Sequence, residues 1–508
     1  MDGVIVLTLL TFSPRIGVLF LLFVDRGNER RLKAMGMMAT LIPLVGALSL
    51  YANFQTGQEG VQFKEEVNWI TFTAIGSMGQ PIEFPITYSM GVDGLSMPLL
   101  VMTAIVTTLA AVASMYIKRN WKSYFIWLLI LEVGLLGVFA ARDLFLFFIF
   151  FEIVLVATFL LVGKWGYVNR EQAANQFLIY NGIGSGVMLL AFISIWFIFG
   201  TMQYDELIER AVQLTEQLST MPEMNWLVLG TFIAILVAFG IKLPFFPFHT
   251  WMLKVHVEAP PPVVMLHSGV MLKMGAYGLI RFGVELFPGY VTDLAFFIGV
   301  LGVVNILYGA VLAFVQTDLK RVIAYSSISH MGIILLGIAA LNVTGLQGAV
   351  FQMVSHGFIS ALLFFFIAAL TERTGTTLIP ELGGLAKSAP VLCGIFLAAG
   401  MATLGLPGMS GFISEFLAFL GIFETQPVLG VLGVLGMILA ALYMLRAVLG
   451  TTFGPVKERW QSLKDTRPAE AVPMLVLLGF IILIGVYPAV LNDPLYVTLE
   501  SIVARMGG

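Results

Sequence analysis

The sequence predicts an all-α membrane protein with about 14 transmembrane helices. Of its 508 residues, 59% are hydrophobic and only 11% are charged, and the mean hydropathy is +0.95. Soluble domains carry about 25% charged residues. Apolar runs of about 18 residues or more recur along the chain, and each is long enough to cross a hydrocarbon core of about 30 Å. Because backbone polar groups cannot face lipid unpaired, these runs should be helices in one bundle.

Hydropathy places fourteen membrane crossings, which we number spans 1 to 14 in chain order. They cover residues 3–24, 32–53, 93–116, 122–140, 143–163, 172–199, 225–245, 260–283, 291–315, 321–341, 345–370, 390–421, 427–451 and 471–492. The N-terminal run lacks the basic start and the small-residue cleavage site of a signal peptide, so we interpret it as span 1. We therefore expect a single polytopic membrane domain over residues 1–508. Two loops, 54–92 and 200–224, are long and acidic, and we interpret them as solvated surface.

Basic residues are divided unequally between the two sets of loops. One set carries 18 of the 27 lysines and arginines: Arg26, Arg30, Arg31, Lys33, Lys118, Arg119, Lys122, Lys164, Arg170, Lys254, Lys320, Arg321, Arg373, Lys387, Lys457, Arg459, Lys464 and Arg467. The other set carries five: Lys64, Arg142, Arg210, Arg281 and Arg505. The positive-inside rule places the first set in the cytoplasm. With an even number of spans, both termini are then expected on the outer side.

Prolines interrupt two of the spans. Span 7 ends in FGIKLPFFPFHTW, and span 12 contains GLPGMSGFISEF. Proline removes a backbone donor and breaks the helical ladder, which a membrane tolerates only where the break is buried in protein or lines a cavity. Interrupted helices in corresponding positions of two halves point to inverted repeats around a mid-membrane site. We expect two inverted five-helix repeats, spans 4–8 (122–283) and spans 9–13 (291–451), between spans 1–3 (3–116) and span 14 (471–492).

Ionisable side chains occur inside the apolar runs, where a charge costs about 2.5–3.5 kcal/mol on insertion scales. They include Glu132 in span 4, Glu152 in span 5, Lys242 at the break of span 7, His267 and Lys273 in span 8, His330 in span 10, His356 in span 11, Glu415 in span 12 and Arg446 in span 13. Burial brings lysine and glutamate closer to neutrality, and histidine titrates near neutral pH in any case. A row of such groups is the pattern expected of a proton relay.

Each of these residues also has a structural interpretation. Glu152 and Lys242 can form a static ion pair between two helices, although a buried pair is often no better than apolar packing. A lysine near the end of a span can extend its ammonium group to the membrane surface. His330 and His356 can be core histidines that bridge helices, and Glu132 can support helix packing. The residues by themselves leave both interpretations open.

Several chemical classes are excluded by composition. The single cysteine, Cys393, rules out a disulfide within the chain and an iron–sulfur cluster held by several thiolates. None of the five histidines forms an HExxH pair, and neither a dinucleotide-binding glycine motif nor a P-loop is present. We therefore expect no cofactor and no metal in this chain, and no redox chemistry. The energy for transport must come from a gradient or from partner subunits.

Five segments resemble the antiporter-like family of membrane subunits in proton-pumping NADH:quinone oxidoreductase, the bacterial complex I, and most closely its M type. They are AFGIKLPFFPFHTWMLKVHVEAP, VMLHSGVMLKMGAYGLIRF, DLKRVIAYSSISHMG, VSHGFISALLFF and GLPGMSGFISEFLAF. The segments GVDGLSMPLLVMT and ARDLFLFFIFFE also fit the M type. The resemblance runs over nearly the whole chain. It implies fourteen helices, two inverted repeats, broken helices 7 and 12, and a place in the bacterial plasma membrane.

The resemblance also implies residue roles. Glu152 is similar to the carboxylate that pairs with the pumping lysine, Lys242. Lys273 is similar to the central relay lysine, and Glu415 to the terminal acid of the M type. The remaining relay candidates are His267, His330, His356 and Glu132. His256 and Glu258 are a possible site of proton uptake, with a structured loop as an equally good interpretation.

The expected partners follow from the same resemblance. They are the other membrane subunits of complex I, especially the sister L-type and N-type chains, together with membrane lipid, and no nucleic acid. FMN, iron–sulfur clusters and quinone are expected in partner subunits, so this chain would be the translocase part of an enzyme. Two alternatives share the lysines and the fold: a subunit of an Mrp-type cation/proton antiporter, and a subunit of the photosynthetic ferredoxin-driven relative. A third, from another class, is a structural membrane scaffold.

Overall fold

The computed structural model describes residues 5–75, 81–220 and 224–506, so residues 3 and 4 of predicted span 1 lie outside the described residues. Its first half contains two strands and twelve α-helices. They are α1 Val6–Phe12, α2 Pro14–Phe23, α3 Glu29–Asn53, β1 Gln62–Ile75, β2 Pro81–Val92, α4 Ser96–Ala113, α5 Trp121–Ala140, α6 Leu144–Trp165, α7 Arg170–Phe199, α8 Tyr204–Thr220, α9 Asn225–Lys242, α10 Thr250–Glu258, α11 Pro261–Leu266 and α12 Leu272–Gly278.

The second half is built of helices as far as the structure describes it. They are α13 Pro288–Val315, α14 Leu319–Ala339, α15 Val343–Thr374, α16 Pro390–Thr403, α17 Ser410–Thr425, α18 Pro427–Thr452, α19 Pro468–Val486 and α20 Ala489–Arg505. Helices α13, α14 and α15 form spans 9, 10 and 11, the two helices α16 and α17 form span 12, and α18 and α19 form spans 13 and 14.

Thirteen of the described helices are long and apolar enough to cross a membrane. They correspond to predicted spans 1–11, 13 and 14, and each overlaps its predicted range. Span 12 is the fourteenth crossing. It is not among the thirteen long helices because it is divided into two pieces, Pro390–Thr403 and Ser410–Thr425, and each piece is too short to cross a membrane by itself. The predicted all-α membrane fold of about fourteen spans is therefore confirmed. The inverted symmetry of the two halves stays a prediction.

Both predicted breaks are present. In span 7, α9 ends at Lys242 and α10 begins at Thr250. The backbone N–H of Phe246, inside this break, donates to Asn305 Oδ1 of span 9 at 2.7 Å, so a neighbouring helix satisfies a donor that the broken ladder leaves free. In span 12, the chain turns through Gly405 at φ +69°, a left-handed conformation that glycine adopts without steric cost.

Span 8 lies at the centre of the bundle. It runs from Pro261 to Val284 and is buried along its whole length. Two of its turns, His267–Met271 and Leu279–Val284, are π-helical. π-helical turns are rare in proteins, and those that do occur are often found at functional sites. Spans 10 and 11 are also almost completely buried, whereas only 33–39% of the residues in the most apolar stretches of spans 1, 2, 6, 13 and 14 are buried. The inner spans 8, 10 and 11 thus carry four of the nine ionisable residues of the apolar runs named above: His267, Lys273, His330 and His356.

The long loops contain structure that the sequence analysis did not predict. Residues 62–75 and 81–92 pair as an antiparallel hairpin, and the carboxylate of Glu65 on β1 accepts a hydrogen bond from the backbone N–H of Leu7 at 2.5 Å. Helix α8 occupies most of the second loop, and α20 follows span 14. All three lie at one end of the bundle, which we call the hairpin end. Hydropathy missed them because none is both long and apolar.

A carboxylate joins three spans at the opposite end. Glu470, in the first turn of span 14, is completely buried. It accepts hydrogen bonds from Tyr116 at the end of span 3 at 2.8 Å and from the Arg467 guanidinium at 2.8 Å, and it forms an ion pair with Arg373 at the end of span 11. Because each oxygen has a charged partner, this buried carboxylate is well compensated.

Candidate functional site

Lys242 lies among aromatic rings at the break of span 7. Its side chain is 1% exposed, and Nζ is 4.7 Å from the ring centroid of Phe151 and 5.6 Å from that of Phe177. Among the described residues Nζ has no hydrogen-bond partner. Ring faces attract a cation, and the attraction strengthens when water is excluded. The lysine is therefore held in a site where its charge is only weakly compensated.

Glu152 does not contact Lys242. It follows Phe151 in span 5, and its Oε1 is buried without a hydrogen-bond partner in the described part of the chain. Its side chain lines a lateral groove of about 410 Å³ between spans 4 and 5, together with Trp127 and Phe148. No ion pair within 4 Å joins the two charges in the described residues, so the static pair considered from the sequence is not seen.

Two histidines form the first hydrogen-bonded pair of the site. His256 Nε2 on α10 lies 2.9 Å from His267 Nδ1 in span 8, and both rings are buried. One nitrogen must donate while the other accepts, so a proton can pass from ring to ring. The rings of Trp251 and Phe177 hold His267 at centroid distances of 5.4 Å and 5.9 Å. The possible uptake residue His256 thus contacts a predicted relay residue.

Lys273 and His356 form the second pair. Lys273 Nζ lies 2.7 Å from His356 Nδ1 and also donates to the backbone carbonyl of Ser268. When Lys273 is protonated, its ammonium group can only donate, so Nδ1 then accepts and the ring hydrogen of His356 lies on Nε2. That Nε2 is 3.2 Å from Ser327 Oγ. The structure therefore brings together two residues that the sequence placed in separate spans.

His330 and Glu415 are close neighbours in the second half. His330 Nδ1 is 3.6 Å from Glu415 Oε1, and it accepts a hydrogen bond from Gln352 Nε2 at 3.0 Å. The rings of His330 and His356 are 5.5 Å apart between centroids. The carboxylate fills the break of span 12, since a Cβ at Gly405 would lie 2.5 Å from its Oε2. Glu415 thus has both a titratable neighbour and a tight backbone pocket.

Three polar residues at the site were missed by sequence reasoning. Ser327 shares a hydrogen bond with His356, and Gln352 donates a hydrogen bond to His330. His249, the last residue of the break in span 7, lies 3.2 Å from the hydroxyl of Tyr308 in span 9. The available signal was the presence of hydroxyl and amide side chains in otherwise apolar helices, as in AYSSISH. That signal is weak, because a serine or threonine can also satisfy itself on its own helix backbone.

Glu258 marks the surface end of α10. Its carboxylate accepts hydrogen bonds from the backbone N–H and the side-chain amide of Asn169 at 2.9 Å and 3.2 Å. It lines a pocket of about 230 Å³ with Lys254 and Arg321. His256, two residues earlier, is buried and faces span 8. The short helix α10 therefore connects a polar surface pocket with the first histidine pair.

Glu132 stands apart from the three pairs. It is 0% exposed in span 4, and neither of its oxygens has a hydrogen-bond partner among the residues that the structure describes. A buried polar group without a partner is costly unless it is neutral. Nothing in the described geometry joins Glu132 to the histidines or lysines, so its relay role remains a prediction.

Comparison with known proteins identifies relatives that align along almost the full chain. Residues 141–442 match the family described as NADH:quinone oxidoreductase/Mrp antiporter, TM. NAD(P)H-quinone oxidoreductase chain 4 1 of Synechococcus elongatus is 40% identical over 472 residues, which are 91% of this chain and 84% of the relative. NADH-quinone oxidoreductase subunit M of Rhodobacter capsulatus is 35% identical and covers 96% of this chain and 94% of the relative.

Solved structures share the fold. A chain of respiratory complex I from Thermus thermophilus with bound NADH superposes with a TM-score of 0.85 at 28% identity, covering 99% of this chain and 100% of that chain. A chain of the Mrp complex from Dietzia sp. DQ12-45-1b has a TM-score of 0.81 at 19% identity, with 99% and 100% covered, which shows a common fold. The chain therefore belongs to the NADH:quinone oxidoreductase/Mrp antiporter family, as an antiporter-like membrane subunit of the M type.

Proposed function

We propose that this chain is a proton-translocating membrane subunit of an NADH:quinone oxidoreductase, driven by quinone reduction in partner subunits. The observation that carries the proposal is the series of buried titratable pairs, His256 with His267, Lys273 with His356, and His330 with Glu415. The similarity to subunit M of Rhodobacter capsulatus supports the parent complex. A structural scaffold has no use for so many costly buried groups.

Lys242 acts as the electrostatic switch in this proposal. Its ammonium group touches aromatic rings and no carboxylate in the described structure, so its protonation responds to charges that approach from a distance. Two unit charges 4 Å apart interact by about 4 kcal/mol at an effective dielectric constant of 20. Moving one proton across 100 mV requires about 2.3 kcal/mol. A movement of the Glu152 carboxylate toward and away from the lysine is therefore large enough to drive release.

The proton path runs along the three pairs. Uptake occurs at the pocket of Glu258, and His256 passes the proton inward to His267. Lys273 then donates to Nδ1 of His356, whose Nε2 hydrogen faces Ser327. His330 carries the proton to Glu415, the terminal acceptor, 3.6 Å away. Glu132 would supply a further carboxyl in span 4.

The chemistry of electron transfer belongs to the partners in this proposal. FMN, iron–sulfur clusters and quinone are assigned to other subunits, and this chain takes the translocase part of the enzyme without a cofactor of its own. The sister L-type and N-type chains and the membrane lipid are its neighbours. The distribution of basic residues supports a location in the bacterial plasma membrane with both termini on the outer side.

A second candidate function is supported by the names of the relatives. Proteins from Synechococcus elongatus and Prochlorococcus marinus named NAD(P)H-quinone oxidoreductase chain 4 are 40% and 37% identical. These names favour an NAD(P)H-quinone oxidoreductase as the alternative parent complex, ahead of the Mrp-type antiporter, whose similar chain is only 19% identical. The relay residues would keep the same roles in each case.

The test is purification of the tagged chain in mild detergent, with mass spectrometry of the proteins that accompany it. We expect flavin-bearing and iron–sulfur-bearing NADH dehydrogenase subunits together with the sister membrane chains. Recovery of small antiporter subunits without redox proteins would instead assign the chain to cation/proton exchange. Recovery of the chain with a ferredoxin-binding module would support the photosynthetic relative.

A further inference from the structure

We infer that Arg15 in span 1 is a docking site for a transmembrane helix of a partner subunit, and that this helix places an aspartate or glutamate against the guanidinium inside the membrane. Arg15 follows Pro14 and is the only lysine or arginine among the first 25 residues of the chain. This role concerns how the chain is held in its complex, so it goes beyond the proposed function and is independent of the proton path.

Arg15 lies near the middle of span 1. The span runs from Val6 to Phe23, so at a rise of 1.5 Å per residue the Cα atom of Arg15 is about 12–13 Å from either end. The side chain extends toward the hairpin end, where its guanidinium carbon lies 4.3 Å from the ring centroid of Phe12. Phe12 is itself about 9 Å from the Val6 end. The charge therefore stays inside the hydrocarbon core.

The side chain of Arg15 lies on the outer face of the helix. The packed face is marked by Gly17, where a Cβ would lie 2.3 Å from Ala39 in span 2. Arg15 precedes Gly17 by two residues, which is about 200° around the helix. Arg15 is exposed, and so are Leu19 and Leu22 on the same face, at 59% and 53%. Arg15 is thus a single charge on an apolar surface of span 1.

The guanidinium of Arg15 lacks an acceptor within the chain. It carries five N–H donors, and among the described residues it makes no hydrogen bond or ion pair. The ring of Phe12 attracts the cation through its face, but it offers no oxygen or nitrogen lone pair to the donors. An uncompensated charge at this depth in a membrane is costly. An acceptor is therefore expected to meet Arg15 in the assembled complex.

Two other arginines show how this chain compensates such a charge. Arg281 in span 8 pairs with Glu285 at 2.8 Å, and Arg446 in span 13 donates to the backbone carbonyl of Gln316 at 3.2 Å. Both acceptors belong to the chain itself. For Arg15 the described part of the chain supplies no such group, so the acceptor is expected on another molecule.

A carboxylate on a neighbouring transmembrane helix fits Arg15 better than a lipid headgroup. Lipid phosphates lie beyond the ends of the span, whereas the guanidinium is about 9 Å inside the nearer end. Charged groups within membranes usually pair with one another, and a guanidinium can bind a carboxylate through two parallel hydrogen bonds. An otherwise apolar helix would also cover Leu19 and Leu22. Its acid is expected at the level of Phe12, in the half of the membrane nearer to the hairpin end.

The first test is photo-cross-linking of the assembled complex in its own membrane. A photoreactive amino acid is placed at Leu19, one turn from Arg15 on the same face. We expect a cross-link to a transmembrane segment of another subunit of the complex, with an aspartate or glutamate in the half nearer to the hairpin end. The matched control places the same amino acid at Phe296 in span 9, which is 63% exposed, and should not yield this segment. Cross-links to lipid alone, or to a segment without an acid, would overturn the inference.

The second test asks whether the charge holds the partner. In the complex with Arg15→Gln, the cross-linked subunit is expected to dissociate from the tagged chain about tenfold faster in mild detergent, because affinity changes within one interface appear mainly in the dissociation rate. Arg26→Gln removes an exposed arginine just beyond α2 and is the matched control. Equal dissociation rates for Arg15→Gln and the unchanged complex, or equal effects of the two variants, would contradict the docking role.

An exchange of charges separates a specific pair from a general loss of packing. Arg15→Glu should release the partner at least as fast as Arg15→Gln, and replacing the partner's acid by arginine in the same complex should restore slow dissociation. Failure of this exchange to restore the complex would rule out a direct pair. None of these measurements involves NADH oxidation or proton movement, so they decide the role of Arg15 whether or not the complex builds a gradient.

Discussion

The two halves of the molecule hold their key ionisable groups in opposite ways. Lys242 lies against two rings with no hydrogen-bond partner among the described residues, whereas Glu415 lies 3.6 Å from His330 and fills the turn at Gly405. The first group has neighbours that cannot exchange a proton, and the second has one that can. Under the proposed function, we therefore expect the first half to be controlled by charges at a distance and the second by proton transfer to a near neighbour.

The helix ends add to this difference. Lys242 is the last residue of α9, where the helix dipole stabilises a cation by about 0.3–1 kcal/mol. Glu415 lies in the second turn of α17, mostly beyond the reach of the corresponding effect for an anion. The charge of the lysine is therefore stabilised by the helix backbone and the aromatic rings, while the glutamate interacts with a neighbouring side chain.

The largest expected effect comes from Lys242→Ala. Removal of the cation leaves nothing for the Glu152 carboxylate to act on, so the number of protons moved per electron should fall, with a loss in relay rate of about tenfold for each ~1.4 kcal/mol. Assembly should persist, because the lost ammonium group had no hydrogen-bond partner to leave unpaired. Gradient formation in liposomes is measured against NADH oxidation. Lys118→Ala, at a lysine whose side chain is 76% exposed, is the control, and an unchanged stoichiometry in Lys242→Ala would rule out the switch.

The second prediction concerns the terminal acceptor. Glu415→Gln removes the proton-accepting group next to His330 and should lower the proton-to-electron ratio, by less than Lys242→Ala because the histidine remains. Glu415→Lys restores a titratable group at the same position and should work in part. The same liposome assay applies to both. A completely inactive lysine variant, in a complex that assembles normally, would argue against an acceptor role for this position.

The third prediction tests the backbone pocket of the second half. Gly405 has φ +69°, and an added Cβ would meet the Glu415 carboxylate at 2.5 Å. Gly405→Ala should therefore destabilise the fold by about 1–3 kcal/mol and reduce translocation as well. Gly394→Ala is the control, because a Cβ there meets nothing within 4 Å. Thermal unfolding of the purified complex is the measurement, and equal midpoints for the two variants would contradict the tight fit.

The smallest expected effect belongs to the break of span 7. Asn305→Ala removes the acceptor of the Phe246 N–H and leaves a backbone donor unpaired, which costs about 1–3 kcal/mol. Asn181→Ala is the matched control, since that buried amide donates only to a carbonyl four residues back on its own helix. Hydrogen exchange of residues 243–249 would report the opening. If both variants exchange alike, the break does not depend on the side chain of span 9.

The sequence predicted the bundle better than the site. The spans follow from local hydropathy and the breaks from prolines, so both could be predicted from the sequence without knowledge of which residues contact each other in the fold. The pairs were not, because Lys273 and His356 are 83 residues apart and no periodicity reveals which helices face each other. Arg281 was interpreted as an outer-loop residue, yet it is 2% exposed at the end of span 8. Its charge is neutralised by Glu285, four residues further along, and by Asp93, which is 188 residues away in the chain. The contact with Asp93 could not be predicted from the sequence.

The ion pair between Glu470 and Arg373 has a consequence for the synthesis of the chain. Arg373 and Glu470 are separated by 97 residues, so at about 5–20 residues per second the ribosome needs roughly 5–20 s to supply the carboxylate after the arginine has emerged. During that interval the guanidinium at the end of span 11 is a free positive charge, and positive charges are what keep a loop from being translocated. With the proposed orientation of the chain, the same side chain would serve as a topology signal during synthesis and as an ion-pair partner once span 14 has been made.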